Sequence, residues 1–266
     1  MMQNKKVTIA VVCPTFNSSE FIERTLASVF AQTTSIDEVI VSDDGSTDNT
    51  LEIVKNIFSK YSGLAQCRLL KNGHGGPGIA RNKGIFEAKS SWIAFLDSDD
   101  TWEVEKIEVV RDTICRNSSA NFICHDEYRI DAHNKKTIIN NSIKYIPSES
   151  LVDQLYWSNL FSTSAVICKR SLLIDKGVFD EGLMSIQDYD LWLKIASHME
   201  VVFIKKILGS YIERSGNITS NNRVRRLVNE FRVLLRYRKL VATSLFVVRI
   251  PRLFLSHIYQ FIKSLR

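Results

Sequence analysis

The five cysteines, Cys13, Cys67, Cys115, Cys124 and Cys168, are odd in number, scattered and never in a Cys-x-x-Cys pair. That excludes a disulfide framework or a zinc ribbon and reads as reduced thiols in a cytoplasmic protein, with Cys13, Cys124 and Cys168 in apolar, strand-like surroundings. The five histidines are equally dispersed, none at ligand spacing. No apolar run approaches the ~20 residues a membrane-spanning helix needs; the longest, Leu240 to Val248, is broken by Arg249 and Pro251. Met1 to Lys6 carries two lysines without a following apolar region and cleavage site, so no secretory signal is expected. Glycine is missing where a dinucleotide fold needs it: the turn after the first strand reads Cys13-Pro14-Thr15-Phe16-Asn17. The glycines from Gly73 to Gly78 follow the third strand and lack Gly-Lys-Ser/Thr, which disfavours a phosphate-loop nucleotidase.

What is present suits a globular domain. Hydrophobic residues make up 45% of the 266 and charged residues 24%, enough for a sizeable core. The net charge of +6 conceals an asymmetry. Residues 223–266 hold eleven Lys and Arg against one acid, Glu230, a net of +10, which leaves −4 on residues 1–222. That shift sets the expected boundary: a catalytic domain over 1–222 and a basic helical tail over 223–266.

The first hundred residues alternate strand and helix. Val7–Cys13, Glu38–Val41, Cys67–Leu70 and Trp92–Leu96 are apolar, β-branched runs. Between them, Phe21–Ala31, Leu51–Phe58 and Pro77–Ala88 carry helical spacing, with Ser18 or Ser19 and Ser46 or Thr47 as expected caps. Such alternation predicts βαβ units and an α/β fold whose central sheet is mainly parallel and flanked by helices. Later strands are expected at Asn121–His125 and Ser164–Cys168, a hairpin at Tyr128–Ile139, a helix within Leu183–His198 and a strand at Val201–Ile204.

The chain is organised around Trp92-Ile93-Ala94-Phe95-Leu96-Asp97-Ser98-Asp99-Asp100, an apolar run that drives into three carboxylates. Ionised carboxylates are too costly inside a buried strand, so they belong at its open end. Extended geometry would point Asp97 and Asp99 the same way, a pair suited to Mg²⁺ or Mn²⁺ with phosphate oxygens completing the shell. The plainer alternative is a polar turn with Asp100 capping a helix that begins near Trp102. In parallel sheets ligands bind at the carboxyl ends of strands, so Thr15/Asn17, Asp43/Asp44 and Asp97/Asp99 should converge on one rim.

Pro14-Thr15-Phe16-Asn17, Val41-Ser42-Asp43-Asp44-Gly45-Ser46-Thr47-Asp48, Gly78-Ile79-Ala80-Arg81-Asn82-Lys83-Gly84 and Phe95-Leu96-Asp97-Ser98-Asp99-Asp100 together resemble family-2 glycosyltransferases of the GT-A fold. Gly177-Val178-Phe179-Asp180-Glu181 followed by Gln187-Asp188-Tyr189-Asp190-Leu191-Trp192 resembles the acceptor-side motif of that family. The resemblance covers roughly residues 7–220. It implies an inverting hexosyltransferase that uses a nucleotide-diphosphate sugar of the UDP-hexose type, in polysaccharide biosynthesis. Thr15, Asp43 and Asp44 then match the positions that hold base and ribose, although Asp43 also reads as a turn residue, and Pro14 and Asn17 join them as nucleotide-sugar-binding candidates. Arg81 matches a basic residue near the diphosphate, and Asp97 and Ser98 count among the nucleotide-sugar-binding residues. Asp99, with Asp97, matches the metal ligands for Mn²⁺ or Mg²⁺, and Asp188 the catalytic base. Two departures stand out: Gln187 replaces the usual Glu, and Ile212 and Arg214 stand in Tyr211–Thr219 where Arg and His are usual. They motivate an alternative, a nucleotide-sugar-binding protein without catalysis.

The tail interleaves Leu227, Phe231, Leu234 and Leu235 with Arg225, Arg226, Arg232, Arg236, Arg238 and Lys239. A helix is expected to about Val248, with Pro251 starting or kinking a second. Basic amphipathic helices suit an anionic membrane surface, so the expectation is a peripheral protein on the inner face of the cell membrane. The same helices could instead pack on the catalytic domain or on a second copy in a homo-oligomer. Nucleic acid is not an expected partner. The expected partners are a nucleotide-sugar donor and a glycan or lipid-linked acceptor.

Overall fold

The computed structural model describes residues 7–214 and 223–263. The expectations placed on Met1–Lys6 and on Ser215–Thr219 lie outside the described residues.

Four parallel strands form the first half of one mixed sheet: β1 (Ile9–Thr15), β2 (Glu38–Asp43), β3 (Gln66–Lys71) and β4 (Trp92–Phe95), in the order β3-β2-β1-β4. The helices between them are α1 (Ile22–Phe30), α2 (Thr50–Lys60) and α3 (Pro77–Glu87). β1 is buried throughout, and its period-two alternation feeds two cores. Ile9, Val11 and Cys13 pack with Leu26, Val29 and Val54 of α1 and α2, while Ala10 and Val12 pack on the opposite face with Ile85 of α3. Gly84 lets α3 lie against β1: a Cβ there would fall 2.5 Å from Val12 Cγ1.

Two of the expected caps differ. Ser18 Oγ bonds Ser98 Oγ (2.8 Å) instead of capping α1, and Asp48 Oδ1, not Ser46 or Thr47, accepts the Thr50 N–H at the start of α2 (3.0 Å). The hydroxyls are drawn into ties between loops, which join elements far apart in the chain.

The second half is mixed. β8 (Val166–Lys169) inserts antiparallel between β4 and β6 (Phe122–Ile130), and β9 (Val201–Ile212) runs parallel to β6. β5 (Thr101–Trp102) pairs with β9, and β7 (Lys136–Ile139) makes the expected hairpin with β6. The carboxylates Asp126 and Glu127 do not end β6 as the sequence implies. A register irregularity on the β9 side accommodates them, and Asp126 is satisfied by the Ser142 N–H (2.8 Å) and hydroxyl (2.7 Å). Trp102 lies in β5, so no helix begins there; α4 (Lys106–Arg116) starts four residues later. Asp100 is no cap either. It accepts the Ser164 hydroxyl (2.6 Å) and the Ile212 N–H (3.0 Å), stitching three elements together.

Short helices α5 (Asn141–Lys144), α6 (Leu151–Trp157) and α7 (Arg170–Lys176), then α8 (Gln187–Ile195), complete this half. The tail forms α9 (Arg223–Tyr237) and α10 (Thr243–Lys263). The break falls at Arg238–Ala242, and Pro251 lies inside α10. Val233, Leu234 and Leu253 are fully or almost fully buried in the core shared with Tyr156 and Trp192. Arg236 pairs with Asp180 and Asp190 (both 2.6 Å), Arg249 with Glu230 (2.8 Å), and Tyr156 donates its hydroxyl to Leu234 O (2.7 Å). Part of the basic charge of the tail therefore balances acids of the body and of α9 itself. Outward, α10 exposes Val247, Val248, Leu255, Ile258, Tyr259 and Ile262.

Candidate active site

A cavity of about 760 Å³ opens where β1, β2 and β4 end, closed on its far side by β6 and the first turn of α8. Pro14, Thr15, Asn17, Asp44, Arg81, Asp97, Ser98, Asp99 and Asp188 all line it. Asp43 does not. Its Oδ2 accepts the N–H groups of Gly45 and Ser46 (both 3.0 Å) and its other oxygen takes the Ser46 hydroxyl, so it is spent on its own turn.

The end of the cavity beside β1 and β2 is built around Asp44. Its carboxylate accepts the N–H groups of Gly75 (2.8 Å) and Gly76 (2.9 Å), which ties the β3–α3 loop to the end of β2. Gly76 has φ +97°, a conformation that side chains other than glycine rarely adopt. The Phe16 and His74 rings pack with centroids 4.6 Å apart at this mouth. Thr15 Oγ1 is buried without a hydrogen-bond partner among the described residues. Asn17 joins the loops: its Oδ1 accepts the Thr47 N–H (2.8 Å) and its own N–H reaches Ser46 Oγ (2.9 Å).

In the middle lies the Asp97–Asp100 turn. The chain is not extended there: the Asp100 N–H bonds back to Asp97 O (3.1 Å). Asp97 and Asp99 thus share the cavity through a turn rather than through strand periodicity. Each faces an arginine. Arg81 reaches Asp97 Oδ1 (2.5 Å), and Arg214 Nε reaches Asp99 Oδ2 (2.6 Å) while lying over the Phe21 ring. Ser98 is buried against Ser18, and the Thr25 hydroxyl holds the turn through Ser98 O and Asp100 O. Burial, then repulsion from Asp97, raises the pKa of Asp99 even with Arg214 beside it.

Across the gap, Asp188 sits in the first turn of α8, and Asn159 donates to its Oδ2 (3.0 Å). Burial raises its pKa; the Tyr189 N–H, Arg81 and Asn159 pull it back, and Asp97 adds to the rise. Ile186, just before α8, has φ +55° and ψ +25°, a strained left-handed conformation for a β-branched residue, and it starts the helix at the cavity edge. Gln187 keeps a contact despite lacking charge: its Oε1 accepts from Arg81 (3.3 Å).

Do these residues suit a divalent cation? Among the described residues, no group of three or more His, Cys, Asp or Glu side chains is poised to hold one. Asp97 and Asp99 nevertheless leave one oxygen each that the two arginines do not take. Mg²⁺ or Mn²⁺ characteristically binds one or two carboxylates and fills its shell with water and substrate phosphate. The pair fits that mode and no fuller protein cage.

The family model described as "Glycosyl transferase family 2" matches residues 10–177. The chain belongs to that family. An uncharacterized glycosyltransferase of Rickettsia felis is 31% identical over 208 residues, covering 75% of this chain and 32% of the relative. The poly(ribitol-phosphate) beta-N-acetylglucosaminyltransferase TarP of Staphylococcus aureus is 40% identical over 102 residues, 38% of this chain and 31% of TarP. This family-2 chain thus spans about a third of the length of such relatives. Among solved structures, S. aureus TarS 1–349 in complex with UDP-GlcNAc has a TM-score of 0.69 at 22% identity, covering 86% of this chain and 71% of that one. The mannosyltransferase PcManGT from Pyrobaculum calidifontis, in complex with GDP-Man and Mn²⁺, has a TM-score of 0.67 at 17% identity over 88% of this chain and 65% of that one. The fold is therefore the GT-A fold of family-2 glycosyltransferases.

Sequence reasoning missed Asn159, Ser164 and Glu127 at the site. Asn159 holds Asp188, and Ser164 joins the Asp97 N–H (3.0 Å) to the Asp100 carboxylate. All three fall between residues 125 and 185, where no motif marks them; a charged pair inside an otherwise apolar strand, Asp126-Glu127, was the one available signal.

Proposed function

We propose that the chain is an inverting glycosyltransferase that moves a hexose from a nucleoside-diphosphate donor, of the UDP-sugar type, to a hydroxyl of a lipid-linked or cell-surface glycan precursor. One observation carries the reading: Asp44, Asp97, Asp99 and Asp188 line a single cavity, which also holds the unpartnered Thr15 Oγ1 and Arg81 Nε. Buried polar atoms without partners await a ligand's polar groups. The naming of relatives as a teichuronic acid biosynthesis glycosyltransferase, a poly(ribitol-phosphate) transferase and a chondroitin synthase supports a glycan acceptor.

In this reading Pro14, Thr15, Asn17 and Asp44 receive base and ribose. Arg81 and Arg214 set positive charge beside the diphosphate, which gains negative charge as its bond to the sugar breaks. Asp188 takes the proton of the acceptor hydroxyl as that oxygen attacks from the face opposite the diphosphate. One displacement inverts the anomeric centre without a covalent sugar–protein intermediate. Asp99 and Asp97 would hold Mn²⁺ or Mg²⁺, which supplies further charge stabilisation to the leaving diphosphate when bound.

We further propose that residues 1–222 are the transferase unit and that 223–266 dock it on an anionic membrane surface. The outward apolar stripe of α10 and the exposed Arg238, Lys239 and Arg252 support this. No helix among the described residues is long and apolar enough to cross a membrane. The alternative, a binding protein without catalysis, is favoured by one observation, the arginine on each of the two Asp carboxylates. A thermal-shift panel of nucleotide sugars with and without Mn²⁺, followed by NMR of the product anomer, tests all of this. Donor binding with no transfer and no hydrolysis selects the alternative; a product of retained configuration removes the single displacement.

A further inference from the structure

Glu127 lies in β6 where that strand loses register with β9. Asp126 pairs with Ile207 and Tyr128 with Ser210, so Glu127 has no partner of its own on β9. Irregularities of this kind re-aim a side chain and recur beside active sites. The residue is 1% exposed and forms part of the cavity wall that also carries Asp97 and Asp188. Its Oε1 is buried without a hydrogen-bond partner among the described residues. The neighbouring Asp126 is the contrast, with both oxygens occupied by Ser142.

The surroundings hold this carboxylate in place without saturating it. Burial raises its pKa to about 7; the Ser162 hydroxyl and the ammonium groups of Lys106 and Lys144 pull it back towards the charged form, and Asp97 adds to the rise. Lys106 is itself fully buried, bonded to Ser164 O (2.8 Å) and lying over the Trp102 ring. A carboxylate here repels phosphate. The group it suits is a neutral donor, and the neutral donors of a sugar substrate are its hydroxyls.

We propose that Glu127 is a sugar-recognition residue whose free oxygen accepts a hydrogen bond from one hydroxyl of the donor sugar or of the acceptor. This rests on the cavity being the transfer site proposed above. A site built this way discriminates strongly, because a substrate lacking the hydroxyl leaves the buried oxygen unpaired again.

The test uses the full chain, a nucleotide sugar that the wild type turns over, its acceptor, and monodeoxy analogues of both. Glu127→Ala should raise KM for one sugar substrate about 10–100-fold, the range for a hydrogen bond to a charged group. Calorimetry should give unchanged affinity for the free nucleoside diphosphate. Glu127→Gln, which keeps an acceptor oxygen, should recover part of the loss. One monodeoxy analogue should cost the wild type the same factor and cost Glu127→Ala nothing more. Whether that analogue is of the donor or of the acceptor says which sugar is read. Both KM values within twofold of wild type, or equal loss of every substrate and of the nucleoside diphosphate with a lowered Tm, overturns the assignment. A wild type inactive on every nucleotide sugar removes the proposed function and this inference with it; an active wild type with indifferent variants removes the inference alone.

Discussion

Replacing Asp188 with asparagine removes one charge and almost no volume. The amide oxygen of the new residue can still accept from Asn159, whose bond to Asp188 is 3.0 Å, so the start of α8 should hold. What disappears is the proposed proton acceptor. General-base catalysis is worth ~10²–10⁴ in rate, or about 3–5 kcal/mol at the barrier. The expected result is that loss in kcat with donor affinity little changed. Stability should move the other way. The folded-state pKa of Asp188 is raised, chiefly by burial, so the folded chain binds this proton more tightly than the unfolded chain does. Asp188 therefore contributes stability in its protonated form, fully present below its unfolded pKa, and that contribution is lost as pH rises through the folded pKa. At neutral pH the asparagine variant escapes the penalty and should melt slightly higher than wild type. The same shift places the acid limb of the wild-type kcat/KM profile above the ordinary carboxylate range. Transfer assays from pH 4 to 8 (about the range over which a raised carboxyl titrates) and differential scanning calorimetry read both. A folded Asp188→Asn within tenfold of wild-type turnover would refute the base assignment.

Other expectations follow from the same contacts. Arg81→Ala should raise donor KM at least tenfold, because the proposed charge-assisted contact to the diphosphate would be lost and Asp97 left without its arginine; an unchanged donor KM counts against the diphosphate role. Asp99→Asn should weaken Mn²⁺ binding by calorimetry in the presence of nucleoside diphosphate, and unaltered binding would move the ion elsewhere. Gly84→Ala forces a contact of 2.5 Å with Val12 and should cost about 1–3 kcal/mol in denaturant unfolding. Leu234→Ala empties a fully buried position under α9 and should cost about 2–5 kcal/mol. If α9 were loosely attached, that variant would unfold like wild type. Replacing Leu255 and Ile258 of α10 by Glu should reduce co-sedimentation with anionic vesicles without lowering Tm, since both side chains are more than half exposed.

The parallel half of the sheet was legible because its strands are continuous apolar runs and its helices carry clear 3.6 periodicity. Residues Ile9–Cys13 and Trp92–Phe95 could be little else. The site was legible to the extent that strand ends gather on one rim, and Asp44, Asp97 and Asp99 meet there. The finer geometry was not. Asp97 and Asp99 share the cavity through a turn that periodicity cannot foretell, and Asp43 is absorbed by its own loop. The capping serines were misassigned because a hydroxyl serves a helix end and a distant loop equally well. Nothing local in the sequence says that Ser18 will meet Ser98, eighty residues away. The charged pair in β6 breaks the rule that buried strands avoid carboxylates. The irregularity that accommodates it depends on β9, which lies far along the chain. The tail's composition gave its helices but not the docking of Arg236 onto Asp180 and Asp190, which is a matter of tertiary register.

The reversed direction of β8 has a consequence for how such a molecule can diversify. Because β8 runs against β4, the segment leading into it arrives at the same edge where β4 departs. One wall of the chamber is thus made from outgoing ends and the opposite wall from an incoming one. Substitutions or insertions between Asn141 and Ser162 can reshape the incoming wall while β1, β2 and β4 keep their pairing. On the proposed function, acceptor preference could change there while the half proposed to receive the nucleotide keeps its strand pairing.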